Sequence, residues 1–599
     1  MDLVPLTIAV PLLAAAVLAA LVPLHLRRTA ELSSIAVAAA VAVLCVLVLA
    51  DATDGPLVYW FGGWEPRDEV AIGISFVVDE GGAGMAGFAA LVTVAALVYA
   101  VRSLEIADEL FHLLMLVFMA GMVGFALSGD LFTSFVFFEL MTVSAFVLAG
   151  YNVEQRTPLE GSLNFAITNT AGSFLFLLGV GLVYGRTGAL NLAQVGEALA
   201  GEPADGLVVV AFGLIASGFF VKAAVVPFHF WLADAYAVAR TPVCIMLAAA
   251  MSELGLFGLA RVYWTAFEGA LAPGVEELRA VLLAAGAATA LVGALMALVQ
   301  THLKRLLAFA TIAYIGLLLV GVGLFSADGL AGAAVFVLGD GLIKASLFAC
   351  VGIVQHRRGH VEVRRLYGLG RELRFTAALF AVGALAVASL PPFGSFLGKS
   401  LIEHAAVDAG HAWAIVLFLA VPALVGAAIL RAGVEVFLGL GPRPRSTGEE
   451  DEPEEAEREQ EVDRTPATMF VPAAALLVGS LAVGLWPDLP SDALGMAERF
   501  VDRQGYAGAT LSGIVPPTPP AATAGPHWYD WLVGLLTAAA ATGLAGLMLA
   551  RRRLPGLAEP PRAALARLRA LHSGHPGDYV AWLAAGAAAL GGLFALSLA

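Results

Sequence analysis

At 599 residues, 60% hydrophobic and 14% charged, with a mean hydropathy of +0.86, the chain reads as a polytopic membrane protein and not a soluble one with an anchor. Its net charge of −15 is dominated by residues 449–463 (EEDEPEEAEREQEVD), ten acids against one arginine, and no basic face suits nucleic acid. The three cysteines, Cys45, Cys244 and Cys350, lie singly in apolar runs without disulfide or metal spacing, so neither a metal nor any other cofactor is expected.

About twenty apolar residues cross a bilayer as a helix, and on that measure the expected fold is all-α with about sixteen transmembrane helices. The first, 3–25, follows Met1-Asp2 without a basic stretch and is expected to be a retained span, not a cleaved signal. With 32–50 and 82–101 it forms an N-terminal group, 1–109. The intervening loop carries the cluster Tyr59-Trp60-Phe61-Gly62-Gly63-Trp64, suited to a membrane interface. Gly82, Gly84 and Gly87 match GxGxxG, but no strand is expected before them and a membrane helix follows. Close packing or a flexible helix start is the expectation there, not nucleotide binding.

Runs 110–127, 130–150, 161–184, 207–237 and 242–264 make up a segment 110–264; runs 278–300, 305–325, 329–355, 373–399 and 411–440 make up 278–440. An acidic linker, 441–466, is too charged to bury. The C-terminal part, 467–599, holds 467–486, 531–550 and 578–597. Its loop 488–528 is stiffened by Pro516, Pro517, Pro519 and Pro520, and 560–571 is expected along the membrane. One alternating set of loops collects Arg27, Arg28, Arg102, Arg156, Arg240, Arg305, the arginines of 357–374, Arg443, Arg445 and those of 551–569. The opposite set has little beyond Arg67, Arg186, Arg261, Arg279, Arg499 and Arg503. Positive loops face the cytoplasm, so both termini of a cell-membrane protein are expected outside.

Of 33 basic residues only four are lysine, namely Lys222, Lys304, Lys344 and Lys399, and each lies in or at the edge of an apolar run. Arginine keeps its proton in a protein, whereas a desolvated lysine can release it. Codon bias toward arginine explains the arginines but not where the lysines sit. Lys222 stands five residues before Pro227 in LVVVAFGLIASGFFVKAAVVPFHFWLADAYA. Lipid cannot satisfy the groups a proline frees, so such a break faces protein or water. The alternative is a lysine snorkelling to the headgroups. Lys399 follows a second break, at Pro391-Pro392.

Glu139 lies in mid-helix without a basic residue near it in sequence, and a lone ionised carboxylate there costs about 2.5–3.5 kcal/mol. Glu253, in LAAAMSELGLFGLARVY, is again in mid-helix. Lys222 is the partner expected for Glu139. Asp340 and Lys344, four apart, share a helix face, as a structural pair or a functional one. His302 and Lys304 fit a stop-transfer cluster or a relay. The two broken helices are the seventh and twelfth. An odd separation inverts the copies in the membrane, so two inverted five-helix repeats are expected, helices 4–8 and 9–13.

The stretch VKAAVVPFHFWLADAYAVARTPVCIMLAA closely resembles the signature of the antiporter-like subunits of respiratory complex I, membrane-bound hydrogenases and Mrp-type cation/proton antiporters. ELMTVSAFVLAGY, THLKRLLAFATIAYIG, LIKASLFACVGIV and LPPFGSFLGKSLI extend the resemblance over roughly residues 80–440. NFAITNTAGSFLFLLGVGLVYGRTGALNLA is most similar to the Mrp D subunit, and LHSGHPGDYVAWLAAG to the longer, fifth-subunit type of complex I chain. The resemblance implies that Glu139 and Lys222 form the pair of a first half-channel, that Lys344 and Lys399 are second-half lysines, and that His229 sits on the broken helix. It also marks departures: Glu253 where many members have lysine, Asp340 where histidine is usual, and His302 where an acid is usual.

The expected function is therefore proton translocation along a polar axis of Glu139, Lys222, His229, Glu253, Lys304, Asp340, Lys344 and Lys399, within a complex of other membrane subunits. Cation/proton antiport, with Na+ among the coupling ions, is the first reading. The alternative is a pumping module of a complex I-like or hydrogenase-type oxidoreductase, whose redox centres belong to partners.

Overall fold

In hydrocarbon a backbone N–H or C=O finds no partner outside the protein, so long apolar runs fold as helices. The computed structural model describes residues 3–24, 26–67, 70–101, 103, 109–151, 156–201, 204–441, 464–514, 524–550, 572 and 574–598. Among these, fourteen helices are long and apolar enough to cross a membrane. The runs 242–264 and 278–300 lie in one helical stretch, Thr241–Val299, because π- and 3-10 turns carry the backbone between them. The run 373–399 is instead divided into Arg374–Val387 and Gly394–Asp408. The arginines at 102, 443, 445 and 551–569, the acidic run 449–463, the four prolines of 516–520 and the stretch 560–571 lie outside the described residues.

Two loops hold structure that hydropathy does not announce. Leu57–Trp60 pairs antiparallel with Ser75–Val78, short aromatic and β-branched segments that suit a strand. A strand thus does precede the glycines at 82, 84 and 87, but it belongs to a hairpin. The Gly82 N–H is taken by the Asp79 side chain at 2.8 Å, so the glycines open a capped helix. The loop 488–528 holds Leu489–Val501 and Arg503–Ala507, packed over the same end. There Arg499 pairs with Glu80. Arg261, assigned by sequence to a loop, is buried, pairs with Asp79 at 2.6 Å and lies 3.8 Å over the Phe500 ring.

The first break is explicit. Gly206–Ala223 starts on Asp205, whose side chain accepts from the Val208 N–H at 2.9 Å; that bond, with Arg186 nearby, holds the carboxylate below its usual range. The helix ends at Ala224 in the left-handed region (φ 57), and helix resumes at Phe230–Val238. Neighbours take up the freed backbone groups: Trp231 Nε1 donates to Val221 O at 2.9 Å and Val226 N–H donates to Thr289 Oγ1 at 3.0 Å. The second break is built alike. Ser389 is left-handed (φ 63), Ser395 Oγ donates to Ala386 O at 2.9 Å, and Tyr314 OH donates to Val387 O. Polar groups freed inside a membrane protein need such partners.

The last two helices each close over one break. Trp528–Ala550 lays Gly534 so near the second that a Cβ there would stand 2.8 Å from Ser389 O and 2.9 Å from Pro391 Cγ. Pro576–Leu598 brings Gly586 against the first, where a Cβ would stand 2.6 Å from Pro227 Cγ. Valine at either glycine is therefore expected to destabilise by about 1–3 kcal/mol through overpacking. Thermal unfolding of the intact protein checks it; unchanged midpoints in both variants would show these contacts to be loose.

Candidate functional site

Glu139 lies on Leu131–Ala149, a helix started by Asp130, whose side chain accepts from the Thr133 N–H at 2.7 Å. Thr142 is three residues on and shares its face. Lys222, with no solvent exposure, sits in the last turn before the first break, donates its ammonium to Thr142 Oγ1 and stands 4.3 Å over the Phe138 ring. Glu139 is the charge that acts on Lys222, as expected, but no salt bridge or hydrogen bond joins them, and Glu139 Oε1 is buried without a hydrogen-bond partner among the described residues. A hydroxyl and a ring face hold the charge instead, one helical turn from the carboxylate.

Further along, three expected residues come together. Lys344 Nζ is 2.6 Å from Glu253 Oε1 and 2.9 Å from Asp340 Oδ2, and all three side chains are 3–4% exposed. The Asp340 contact follows from i, i+4 spacing on Ala327–Arg358. The Glu253 contact does not; it crosses between helices, just after a π-turn at Leu247–Met251 that re-phases the chain. Two ionised carboxylates around one ammonium leave a formal charge of −1. Among the described residues Glu253 Oε2 and Asp340 Oδ1, both buried, have no hydrogen-bond partner, so the cluster keeps unused acceptors. Ser252, beside Glu253, lies 3.4 Å from the Tyr236 hydroxyl.

Lys399, 1% exposed, follows Pro391 and Pro392 on Gly394–Asp408 and lies 3.7 Å from Glu403. Glu403 lines a cavity of about 490 Å³, as do His404 and Asp530, which pair at 3.0 Å. Lys304 is buried and donates to Ala239 O at 3.0 Å, so it does not snorkel. His302 Nδ1 accepts from the Arg305 N–H at 3.2 Å, capping that helix. His229 is buried two residues past Pro227, with its ring centroid 5.2 Å from that of His572. Asp234 accepts from the Tyr579 hydroxyl at 2.7 Å. Thr142, Glu403, His404, Asp530 and Tyr579 went unread in the sequence. Spacing alone could have flagged Thr142 and Glu403; nothing local marks the others.

Residues 128–424 match the family described as NADH:quinone oxidoreductase/Mrp antiporter, transmembrane. NADH-quinone oxidoreductase subunit N of Desulforudis audaxviator is 31% identical over 438 residues, 72% of this chain and 85% of the relative. The chain belongs to this family. A putative antiporter subunit of Staphylococcus saprophyticus is 29% identical over 69% of the chain and 81% of its own length. A chain of the Mrp complex of a Dietzia species superimposes with TM-score 0.70 at 28% identity, covering 85% of this chain and 97% of that one. Respiratory complex I of Thermus thermophilus contributes a chain at TM-score 0.62 and 25% identity, covering 81% and 99%. An archaeal membrane-bound sulfane sulfur reductase chain, at 23% identity and TM-score 0.74, shares the fold. The protein is thus an antiporter-like membrane subunit of the kind found in Mrp and complex I-like assemblies. Every lysine and carboxylate of the expected axis falls inside the family-matched residues, whereas Asp530, His572 and Tyr579 fall outside them.

Proposed function

We propose that this subunit carries protons through two half-channels, Glu139–Lys222 and Lys344–Lys399, joined at Glu253 and Asp340, in exchange for a cation such as Na+. The observation that carries the reading is the buried Glu253–Lys344–Asp340 cluster, with two acids for one base and acceptors unused. Such a group gains by taking up one more proton, and the membrane field acts on that proton with about 2.3 kcal/mol per 100 mV. Lys304, His229 and the two breaks complete the path. The halves are two inverted repeats, 110–264 and 278–440. Aligned on Pro227 and Pro392, Phe228 falls on Phe393, Leu232 on Leu397, and left-handed Ala224 on left-handed Ser389, which supports that division.

The setting is a multi-subunit complex in the cell membrane, with both termini outside on the arginine bias. A relative named for NADH-quinone oxidoreduction favours a second reading, a pumping module driven by a redox partner. Copurification separates the two, by small membrane subunits or by iron–sulfur subunits. For the path itself, coupled proton flux into vesicles holding the whole complex is expected to fall at least about tenfold, or ~1.4 kcal/mol of barrier, in Glu139→Ala and in Lys399→Ala. Normal flux in both ends the reading.

A further inference from the structure

The helix Trp528–Ala550 lies beyond the family-matched residues, yet it reaches the ionisable groups next to Lys399. Asp530, 7% exposed, stands in its first turn. One carboxylate oxygen faces His404 Nε2 at 3.0 Å and the other accepts from the His527 N–H at 2.6 Å. The His404 ring also lies 4.9 Å from that of His527 and 6.0 Å from that of Tyr529. Glu403, its chain neighbour, is 3.7 Å from Lys399 and about one-seventh exposed, at 15%. Both open on the 490 Å³ cavity, which Asp328 and Asp408 also line. From Lys399 outward the groups thus run from buried, through part-buried, to an open space. The cavity wall is drawn mainly from helix ends, at Asp328, Glu403, Asp408, Pro490, Tyr529 and Asp530, that the arginine bias assigns to one side, the side poor in arginine.

We propose that the appended helix builds the release mouth of the second half-channel, with Asp530 as the positioning residue that fixes His404 to hand protons between Glu403 and the cavity. This presupposes the proton path set out above and adds to it a residue from outside the shared fold. The proton leaves Lys399 Nζ for the Glu403 carboxylate, passes to a ring nitrogen of His404, and leaves to water in the cavity. The same transfers in reverse load Lys399. Asp530 keeps the imidazole oriented and stabilises its charged form, as a carboxylate facing a histidine does. Asp328, Asp408, Glu403, His527 and Tyr529 are the other titratable groups at the mouth; the acids among them favour a passing cation. Gly534, one helical turn beyond Asp530, sets the helix close enough for the contact to form.

The experiment uses the whole complex in vesicles, with assembly read on native gels and coupled flux read against the pH on the cavity side. Asp530→Asn and His404→Gln are expected to assemble, to lose about tenfold in flux, and to change its pH profile. In Asp530→Asn the midpoint moves toward acid, because the imidazolium has lost its counter-charge; Asp530→Glu restores both flux and midpoint. Lys399→Ala is the reference for the path. If Lys399→Ala is inactive while Asp530→Asn and His404→Gln match the parent at every pH, the path stands and the mouth lies elsewhere. A fall in flux with an unmoved profile also overturns the proposal, since that is what a merely structural contact would give. If Asp530→Asn does not assemble, His404→Gln decides by the same profile. An active Lys399→Ala sinks the path itself.

Discussion

Replacing Lys344 by methionine is expected to cost both stability and flux, whereas Asp340→Asn is expected to cost flux alone. Among the described residues Lys344 is the one cation touching Glu253 and Asp340, at 2.6 and 2.9 Å. Removing one partner of a buried pair leaves an uncompensated charge and typically costs about 3–5 kcal/mol. Here it would strand two carboxylates, so the Lys344→Met complex should unfold at a lower temperature and conduct less than about a tenth of the parent flux. Asp340→Asn leaves Glu253 and Lys344 as a neutral pair. Both carboxylates touch one nitrogen, so they lie within about 5.5 Å, where like charges repel by roughly 3 kcal/mol at an effective dielectric near 20. That repulsion favours uptake of an extra proton, and it is comparable to the work the field does on one charge. Asp340→Asn removes the repulsion and with it the uptake. Thermal unfolding and vesicle flux on the same preparations test the pair of outcomes. Normal flux in Asp340→Asn would leave the cluster a structural device for carrying charges across together.

The breaks were legible because proline and glycine act locally. Pro227, Pro391 and Pro392 interrupt runs that are otherwise unbroken, and the backbone leaves the helix at Ala224 and Ser389 as that requires. The Asp340–Lys344 pair was legible for the same reason, since four residues make one face. Contacts between helices were not. Nothing in periodicity says that Lys222 will give its hydrogen bond to Thr142, or that Glu253 will reach Lys344 from a helix separated from it by about ninety residues. The hairpin at Leu57–Trp60 and Ser75–Val78 escaped because four-residue strands carry too short an alternation to stand out beside membrane spans. Least visible of all was the docking of the last two helices. Gly534 and Gly586 are two of 65 glycines, and only tertiary structure shows that each meets a break.

Lys222→Arg separates two roles that Lys222→Ala confounds. Arginine keeps a positive charge at the site but does not surrender its proton. The Phe138 ring face and the Thr142 hydroxyl, which hold the ammonium now, can also receive a guanidinium. The arginine variant is therefore expected to assemble and to keep most of its stability, with overpacking of about 1–3 kcal/mol as the upper cost. Its coupled flux should nevertheless fall at least about tenfold, to the level of Lys222→Ala, because the site can no longer load and unload. Thr142→Val should be milder. It removes one hydrogen bond to a charged group, worth about 1.5–3 kcal/mol, and leaves the ammonium free to turn toward the buried Oε1 of Glu139. Vesicle flux in the three variants, scaled to assembled complex, gives the order. If Lys222→Arg conducts like the parent, a fixed charge suffices there, and Lys222 is a structural cation and not a carrier of protons.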